Sequence, residues 1–338
     1  MKRKKVRIQD IAKRLGISIA TVSLAYNHPN LVNRKTRQEI LSLCEELGYV
    51  KPIRGKKRTR QIAVISRDTY NFANDFYAKV CEGLLIHALK HKYTLIFEPW
   101  PDEQGEMPWS ISNNKVDGVI FLGSIHREKA LLVKQRQLPL VLCGHPLSDL
   151  ELHTVIPDGR SGIFQATKHL IELGHQRIAK ITGGKNGNMV ARERVEGFQA
   201  ALIDANHEIR EEYIVYADFT LYTQVEAGLD QLLALKEPPT AIVCASDPIA
   251  YKTYEFLLQK GYKVPQDISL TGFDNFLPAE YARGFLPKLT SVEVNTNELA
   301  KYTLEILFDL MEEPSKIALR YTLPVKLAVG ETTGKPKQ

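Results

Sequence analysis

No apolar run in the chain approaches the roughly 18 residues of a membrane span, which excludes an integral helical membrane protein. Cysteine is scarce as well: only Cys44, Cys81, Cys143 and Cys244 occur in 338 residues. They lie far apart and form no CxxC pair, so neither a zinc site nor a disulfide framework is indicated, and no metal or cofactor is expected. The basic stretch from Met1 to Arg7 could open a signal peptide, but IQDIAKRLGIS after it is interrupted by Gln9, Asp10, Lys13 and Arg14. Export is not indicated, and a cytoplasmic location is expected. Signatures of catalysis are missing too. There is no G-x-S-x-G, HExxH or dinucleotide fingerprint, and the glycine-rich TGGKNGN at 182–188 lacks the Walker spacing and its Ser/Thr. An enzyme is not expected. What is present, 44% hydrophobic and 25% charged residues, suits a globular chain of two or three domains.

Charge is unevenly placed. Residues 1–60 hold 16 Lys and Arg against four Asp and Glu, a net of +12, whereas the remainder carries −6. A basic head on a mildly acidic body suits a polyanion-binding module, although a basic membrane-binding face or a disordered tail would give the same charge. Pattern separates these readings. Ile8, Ile11, Ala12 and Leu15 recur at helical spacing and Gly16 ends that helix. Ser18 then caps a second helix over about 19–27, and Asn33 a third over about 34–47. Two short helices joined by a tight glycine turn form a helix-turn-helix, whose second helix enters the major groove. Arg34 and Lys35 stand in the first turn of the third helix, where the dipole disfavours cations by ~0.3–1 kcal/mol each. A phosphate at that position would offset the penalty; a plain three-helix bundle with solvated charges is the bland reading.

From Gln61 onward, β-rich runs alternate with amphipathic ones. Strands are expected at 61–66, 93–97, 117–123, 138–143, 177–182, 240–246 and 267–272, with helices near 75–91, 160–173, 191–206, 223–236, 248–260 and 296–311. This alternation implies a doubly wound α/β body with parallel sheets, long enough for two lobes, with ligands at the carboxyl ends of the strands.

The stretch VRIQDIAKRLGISIATVSLAYNHPNLVNRKTRQEILSLCEELGYV resembles the DNA-binding head of LacI/GalR-family bacterial transcription regulators, through D-I-A, the G-I-S turn, A-T-V-S-L, Asn27, V-N-x-x-T-R and E-L-G-Y. The likeness makes 19–27 the recognition helix, with Ser18, Ile19, Ala20, Thr21, Ser23, Leu24 and Asn27 toward DNA. Thr21, Ser23 and Asn27 suit phosphates. Ile19, Ala20 and Leu24 can make only apolar contacts such as those to thymine methyls, though Leu24 could equally belong to the bundle core. The family's hinge helix is not matched. KPIRGKKRTRQ contains Pro52 and Gly55 and no Ala-x-x-Leu, leaving Ile53 as the one wedge candidate, and Arg54, Lys56 and Lys57 either line phosphates or are simply solvated.

In the body, VIPDGRSG, HLIELGHQRIAKITG, RVEGFQAAL, SDPIA, GYKVPQDISLTGFDN and LTSVEVN resemble the same family's effector-binding domain, of periplasmic-binding-protein type. The resemblance implies a helix-turn-helix head at 1–50, a basic linker at 51–60 and a two-lobed domain at 61–334. Lobe one would hold 61–156 and 290–315, lobe two 157–289 and 316–334. It places the effector pocket at Arg194, Asp247 and Asp274, with Phe219 stacking on the ligand and Phe76 as a further candidate. An arginine fork and carboxylates would grip hydroxyls. Alternatively Asp247 and Asp274 cap helices, Phe219 is core and Arg194 is an exposed helical residue. Asp158 reads as a cap or lobe-crossing residue, and His169 and His175 as structural. The expectation is a homodimeric repressor on a near-palindromic double-stranded operator, with no membrane partner and with a sugar or sugar phosphate as effector. The alternatives are a purine or nucleoside effector, or an architectural DNA binder whose body only dimerises.

Overall fold

A computed structural model describes residues 8–27, 31–47, 58–67, 75–101, 106–147, 150–183, 189–217, 222–277, 286–315 and 317–337. The chain divides into two compact units, 1–59 and 60–338. In the first, α1 (Ile8–Leu15), α2 (Ile19–Asn27) and α3 (Arg34–Glu46) enclose a small core of Ile11, Ala12, Val22, Ala25, Ile40, Leu43 and Cys44. Gly16 takes φ +65 and lets the Ile17 amide return to the Ala12 carbonyl at 3.0 Å, which closes α1. Ser18 and Asn33 cap as the sequence predicts. The Thr21 amide donates to Ser18 Oγ at 3.0 Å, and the Lys35 amide to Asn33 Oδ1 at 2.9 Å.

The second unit contains two six-stranded sheets. Sheet A joins β1 (Gln61–Ser66), β2 (Thr94–Pro99), β3 (Gly118–Leu122), β4 (Leu140–Cys143), β5 (Thr154–Pro157) and β11 (Arg320–Leu323) in the order β11-β5-β4-β3-β1-β2. Sheet B joins β6 (Ile178–Thr182), β7 (Ile214–Tyr216), β8 (Ala241–Cys244), β9 (Ser269–Asp274), β10 (Thr290–Glu293) and β12 (Lys326–Ala328) in the order β12-β10-β9-β8-β6-β7. All pairings are parallel except β10–β12. Each sheet therefore places its first strand between its second and third, the arrangement that opens a crevice at the carboxyl edge. The central strands of each sheet read as largely apolar runs because helices cover both faces. On sheet A these are α4 (Asp75–Lys90), α5 (Trp109–Ser112), α6 (Arg127–Gln135) and α11 (Thr296–Glu312); on sheet B, α7 (Gly159–Glu172), α8 (Met189–Asp204), α9 (Tyr222–Leu233) and α10 (Asp247–Gln259).

The lobe boundaries need one correction. β10 belongs to sheet B and β11 to sheet A, so 290–293 lie in lobe two and 320–323 in lobe one, the reverse of the expected assignment. The chain crosses at 158, again at 294–295 and last at 324–325. The reason is hydrogen-bonding geometry: β10 pairs with β9 from Thr290 to Glu293, and α11 begins only at Thr296. Asp158 is the crossing residue and the cap of α7, accepting from the Ser161 amide at 2.8 Å. His175 is structural, its ring bonded to Thr240, Ser269 and the Gly334 carbonyl, and His169 bonds Thr333.

Candidate functional site

At 3.6 residues per turn, Val22 and Ala25 turn α2 toward the head core, and Ile19, Ala20, Ser23 and Leu24 face away from it. Ile19 is 46% exposed and Ala20 is exposed. Leu24 is half-buried and stands outside the set of residues forming the head core, so the stripe is apolar at both ends. Ser18 has a structural duty as the helix cap, and its Oγ also lies 2.9 Å from Thr21 Oγ1. Arg34 and Lys35 are exposed at the start of α3. Ile53, Arg54, Lys56 and Lys57 lie outside the described residues. Arg60, counted by sequence within the basic linker, is instead fastened to the body: its amide donates to Asp117 Oδ2 at 2.9 Å and its guanidinium lies 5.3 Å from the Tyr93 ring.

A second group of polar side chains converges where the carboxyl edges of the two sheets meet. Arg194 enters from the first turns of α8. Its seat depends on Gly197, one turn on, because a Cβ there would overlap the Arg160 carbonyl of α7. The Arg194 guanidinium lies 3.9 Å over the Phe273 ring and donates to the Ala245 carbonyl. Burial lowers its pKa, against the opposing pull of Asp274, Tyr77, Asp247 and Glu193. Asp274 ends β9 with φ +108, followed by Asn275 at φ +53, a backbone region that side chains other than glycine rarely adopt. Burial raises the Asp274 carboxyl to about 7, although the nearby Arg194 charge pulls it down.

Asp247 stands close enough to act on both charges, and its carboxylate is already bonded within the protein. It is 1% exposed, and both its oxygens are engaged: Ser291 Oγ donates to Oδ1 at 2.6 Å and the Phe276 amide to Oδ2 at 2.8 Å. Ser291 Oγ also accepts from the Asn275 amide at 3.1 Å. Asp247 thus holds the left-handed turn that displays Asp274. Its close approach to β9 requires Gly272, where a Cβ would overlap the Asp247 carboxylate. Burial, reinforced by the Asp274 charge, keeps the Asp247 pKa well above the usual carboxylate range.

Lobe one faces this array with two residues that the sequence reading passed over, Tyr77 on α4 and His145 after β4. Burial raises the Tyr77 hydroxyl's pKa, with contributions from Cys143 and Asp274 against Arg194. Burial and the Arg194 charge push His145 down to about 4, so its imidazole is neutral. Phe76, singled out by sequence, packs edge-on against Tyr77 at 5.1 Å between centroids and touches the cores of both lobes. Phe219 lies outside the described residues. Two further contacts cross the seam: Arg320 of β11 meets Glu193 of α8 at 2.5 Å, and Lys79 of α4 lies 5.9 Å from the Phe276 ring. Among the described residues no cluster of His, Cys, Asp and Glu is placed to hold a metal ion, and no helix is long and apolar enough to cross a membrane.

Comparison with known proteins matches residues 7–51 to bacterial regulatory proteins of the lacI family and residues 167–333 to a periplasmic binding protein-like domain. The chain is 32% identical over 317 residues to the HTH-type transcriptional repressor PurR of Aliivibrio fischeri, covering 90% of this chain and 92% of that one. It is 30% identical over 338 residues to Catabolite control protein A of Priestia megaterium, covering 97% and 99%. Among solved structures, the complex of the transcriptional regulator CelR with cellobiose aligns with a TM-score of 0.70 at 28% identity, over 97% of this chain and 99% of that one.

Proposed function

The chain belongs to the lacI family of bacterial regulatory proteins and is a DNA-binding transcriptional regulator; from that premise we propose that it is a cytoplasmic repressor whose hold on DNA is set by a carbohydrate bound between its lobes. The observation that carries this reading is the convergence of Tyr77 and His145 from lobe one on Arg194 and Asp274 from lobe two. A guanidinium and a carboxylate offer complementary donors and acceptors to vicinal hydroxyls, and a neutral imidazole can serve as either. The Phe273 face is already covered by Arg194, which favours a hydroxyl-rich ligand over a stacked nucleobase. The relative CelR was solved with cellobiose, which supports a sugar. Such a site binds and releases its ligand without turnover.

A ligand touching both lobes stabilises one arrangement of them over another, and only that difference in affinity can change DNA binding. The protein acts as a homodimer on a near-palindromic operator. Leu85, Ile86 and Leu89 give α4 an outward apolar face suited to a second copy, with Leu89 69% exposed. On DNA, the apolar Ile19–Ala20–Leu24 stripe reads thymine methyls, while Thr21, Ser23, Asn27, Arg34 and Lys35 hold phosphates.

The test has two steps. Thermal shift of the full chain against sugars, sugar phosphates and nucleosides identifies the binder, since binding to the folded state raises apparent stability. Fluorescence anisotropy on an operator recovered by selection then measures DNA affinity with and without it. A change of at least tenfold is expected. A saturating ligand that leaves DNA affinity unchanged would refute the switch, and strong nucleoside binding without sugar binding would replace the effector class.

A further inference from the structure

Lys180 stands in the middle of β6, 0% exposed, in a run that is otherwise apolar up to Thr182. Its register places it level with Val243 of β8, which is itself level with Thr271 of β9. Neighbours in register project to one face of a sheet, and the face recurs every second residue. Ile178, Lys180 and Thr182 therefore share a face with Val243, Thr271 and Phe273. Ile178, Val243 and Phe273 pack against Ile163 of α7 and Phe198 of α8. Lys180 thus lies beneath the helix pair that seats Arg194, two residues or about 7 Å of strand from the carboxyl edge. Its flexible four-carbon stem can bridge that interval.

Among the described residues, four polar atoms in this layer are buried without a hydrogen-bond partner: Lys180 Nζ, Thr182 Oγ1, Thr271 Oγ1 and Arg194 Nε. A buried polar atom left unpaired forfeits its hydration with nothing in return, so a native protein rarely collects several in one place without a use for them. The set is rich in donors and carries positive charge. Asp274 and Asp247 act on Arg194, whereas Lys180 is repelled by Arg194 and favoured in its charged form by Cys244. Burial, with that repulsion, pushes the Lys180 amine down to about 7. An anion brought to this layer would find an uncompensated ammonium, a free guanidinium N–H and two hydroxyls.

We propose that the effector is an anionic sugar, its phosphate or carboxylate bound by Lys180 and Arg194 with Thr182 and Thr271 donating beside them. The proposal rests on the reading of the cleft as the effector site and narrows its ligand class: a neutral sugar would leave Lys180 orphaned.

Calorimetric titration of the full chain tests it with matched trios, such as glucose, glucose 6-phosphate and glucuronate and their galactose counterparts, on the wild type and on Lys180→Met. At least one anionic member should bind tenfold or more tightly than its neutral parent, and the phosphate and carboxylate arms tell the two sources apart. Lys180→Met should abolish that preference while leaving the neutral parent's affinity and the operator affinity unchanged. Without ligand, the variant should melt at a higher temperature than the wild type, because an orphaned amine is replaced by an apolar chain of similar length. Equal binding of neutral and anionic members, or a preference that survives in Lys180→Met, overturns the proposal and leaves the effector reading standing. A variant that melts lower gives the lysine a structural role and also overturns it. Failure of every sugar and sugar anion to bind overturns both.

Discussion

Sheet A sets β2, β1, β3, β4 and β5 side by side in the order in which sheet B sets β7, β6, β8, β9 and β10, yet buried polar groups are divided unevenly between them. The strands of lobe one bury Ser66 and Thr154; those of lobe two bury Lys180, Thr182, Ser269, Thr271, Thr290 and Ser291. At the seam, lobe one presents a phenol and a neutral imidazole, and lobe two presents the Arg194 guanidinium and the Asp274 carboxyl. Strand order decides where a ligand can sit, at the shared carboxyl edge. Composition decides what is gripped there, and from which side. On the proposed function, lobe two is the binding floor and lobe one the cover that completes it.

The largest effect should come from the floor itself. Arg194→Ala should weaken effector binding about 100-fold, or about 2.7 kcal/mol, in calorimetry, while operator affinity without effector is retained. The comparable substitution in the cover, Tyr77→Phe, should weaken it by about tenfold or less, the worth of one neutral hydrogen bond. Reversal of that order would put the recognition chemistry in lobe one.

Packing separates the lobes next. Gly197→Ala drives a methyl into the Arg160 carbonyl, a backbone atom that cannot yield, and should destabilise the body by about 1–3 kcal/mol in denaturant unfolding. Gly118→Ala in lobe one meets instead the ends of the Met311 and Leu307 side chains. Methionine repacks readily, so that change should be worth less than about 1 kcal/mol.

pH should pull the two sides in opposite directions. Asp274 titrates near 7 when folded and near 3.8 unfolded, so between those values the folded state binds more protons and stability falls as pH rises. His145 titrates near 4 when folded and 6.5 unfolded, so across that window the unfolded state binds more protons and stability rises with pH. The two slopes oppose one another between about pH 4 and 6.5. Relative to the wild type, His145→Gln should make the slope of stability against pH more negative across this range, and Asp274→Asn should make it more positive. Melting temperatures taken at half-unit pH steps would show the sign directly.

The smallest effect belongs to the seam. Arg320→Ala removes the ion pair to Glu193 between two partly exposed side chains, and should reduce stability by less than about 1 kcal/mol.

Much of the fold is legible in the sequence. β1, β3, β4, β6, β8 and β9 announce themselves as apolar runs because both their faces are covered. β5, β7, β10, β11 and β12 do not. They are only three or four residues long, too short for a periodic signal, and in Arg320–Leu323, largely exposed at a sheet edge, pairing rather than hydrophobicity makes the strand. The second and third crossing points differ from the expected boundaries for the same reason, whereas the first falls where the sequence places it. R-V-E-G-F and G-F-D-N lead to Arg194 and Asp274, which the fold brings together at the seam, and S-D-P-I-A leads to a carboxylate whose oxygens are bonded within the protein. Tyr77 and His145 had no local signal, since only the apposition of two lobes gives them a role. Lys180 did have one: a lone cation inside RIAKIT is an anomaly that a reading for periodicity smooths over.

Both sheets depend for their last strand on one short stretch, β11 and β12, which are separated by only two residues and run to different lobes. This makes completion of the body a late event in biosynthesis. A nascent chain that has emerged from the ribosome through α11 exposes the edges of β5 and β10 together, and both are open to pairing with another chain. Neither lobe can be finished ahead of the other. Arrested nascent chains released just before residue 320 should therefore aggregate or recruit chaperones, whereas chains that have emerged beyond β12 should resist protease as a unit.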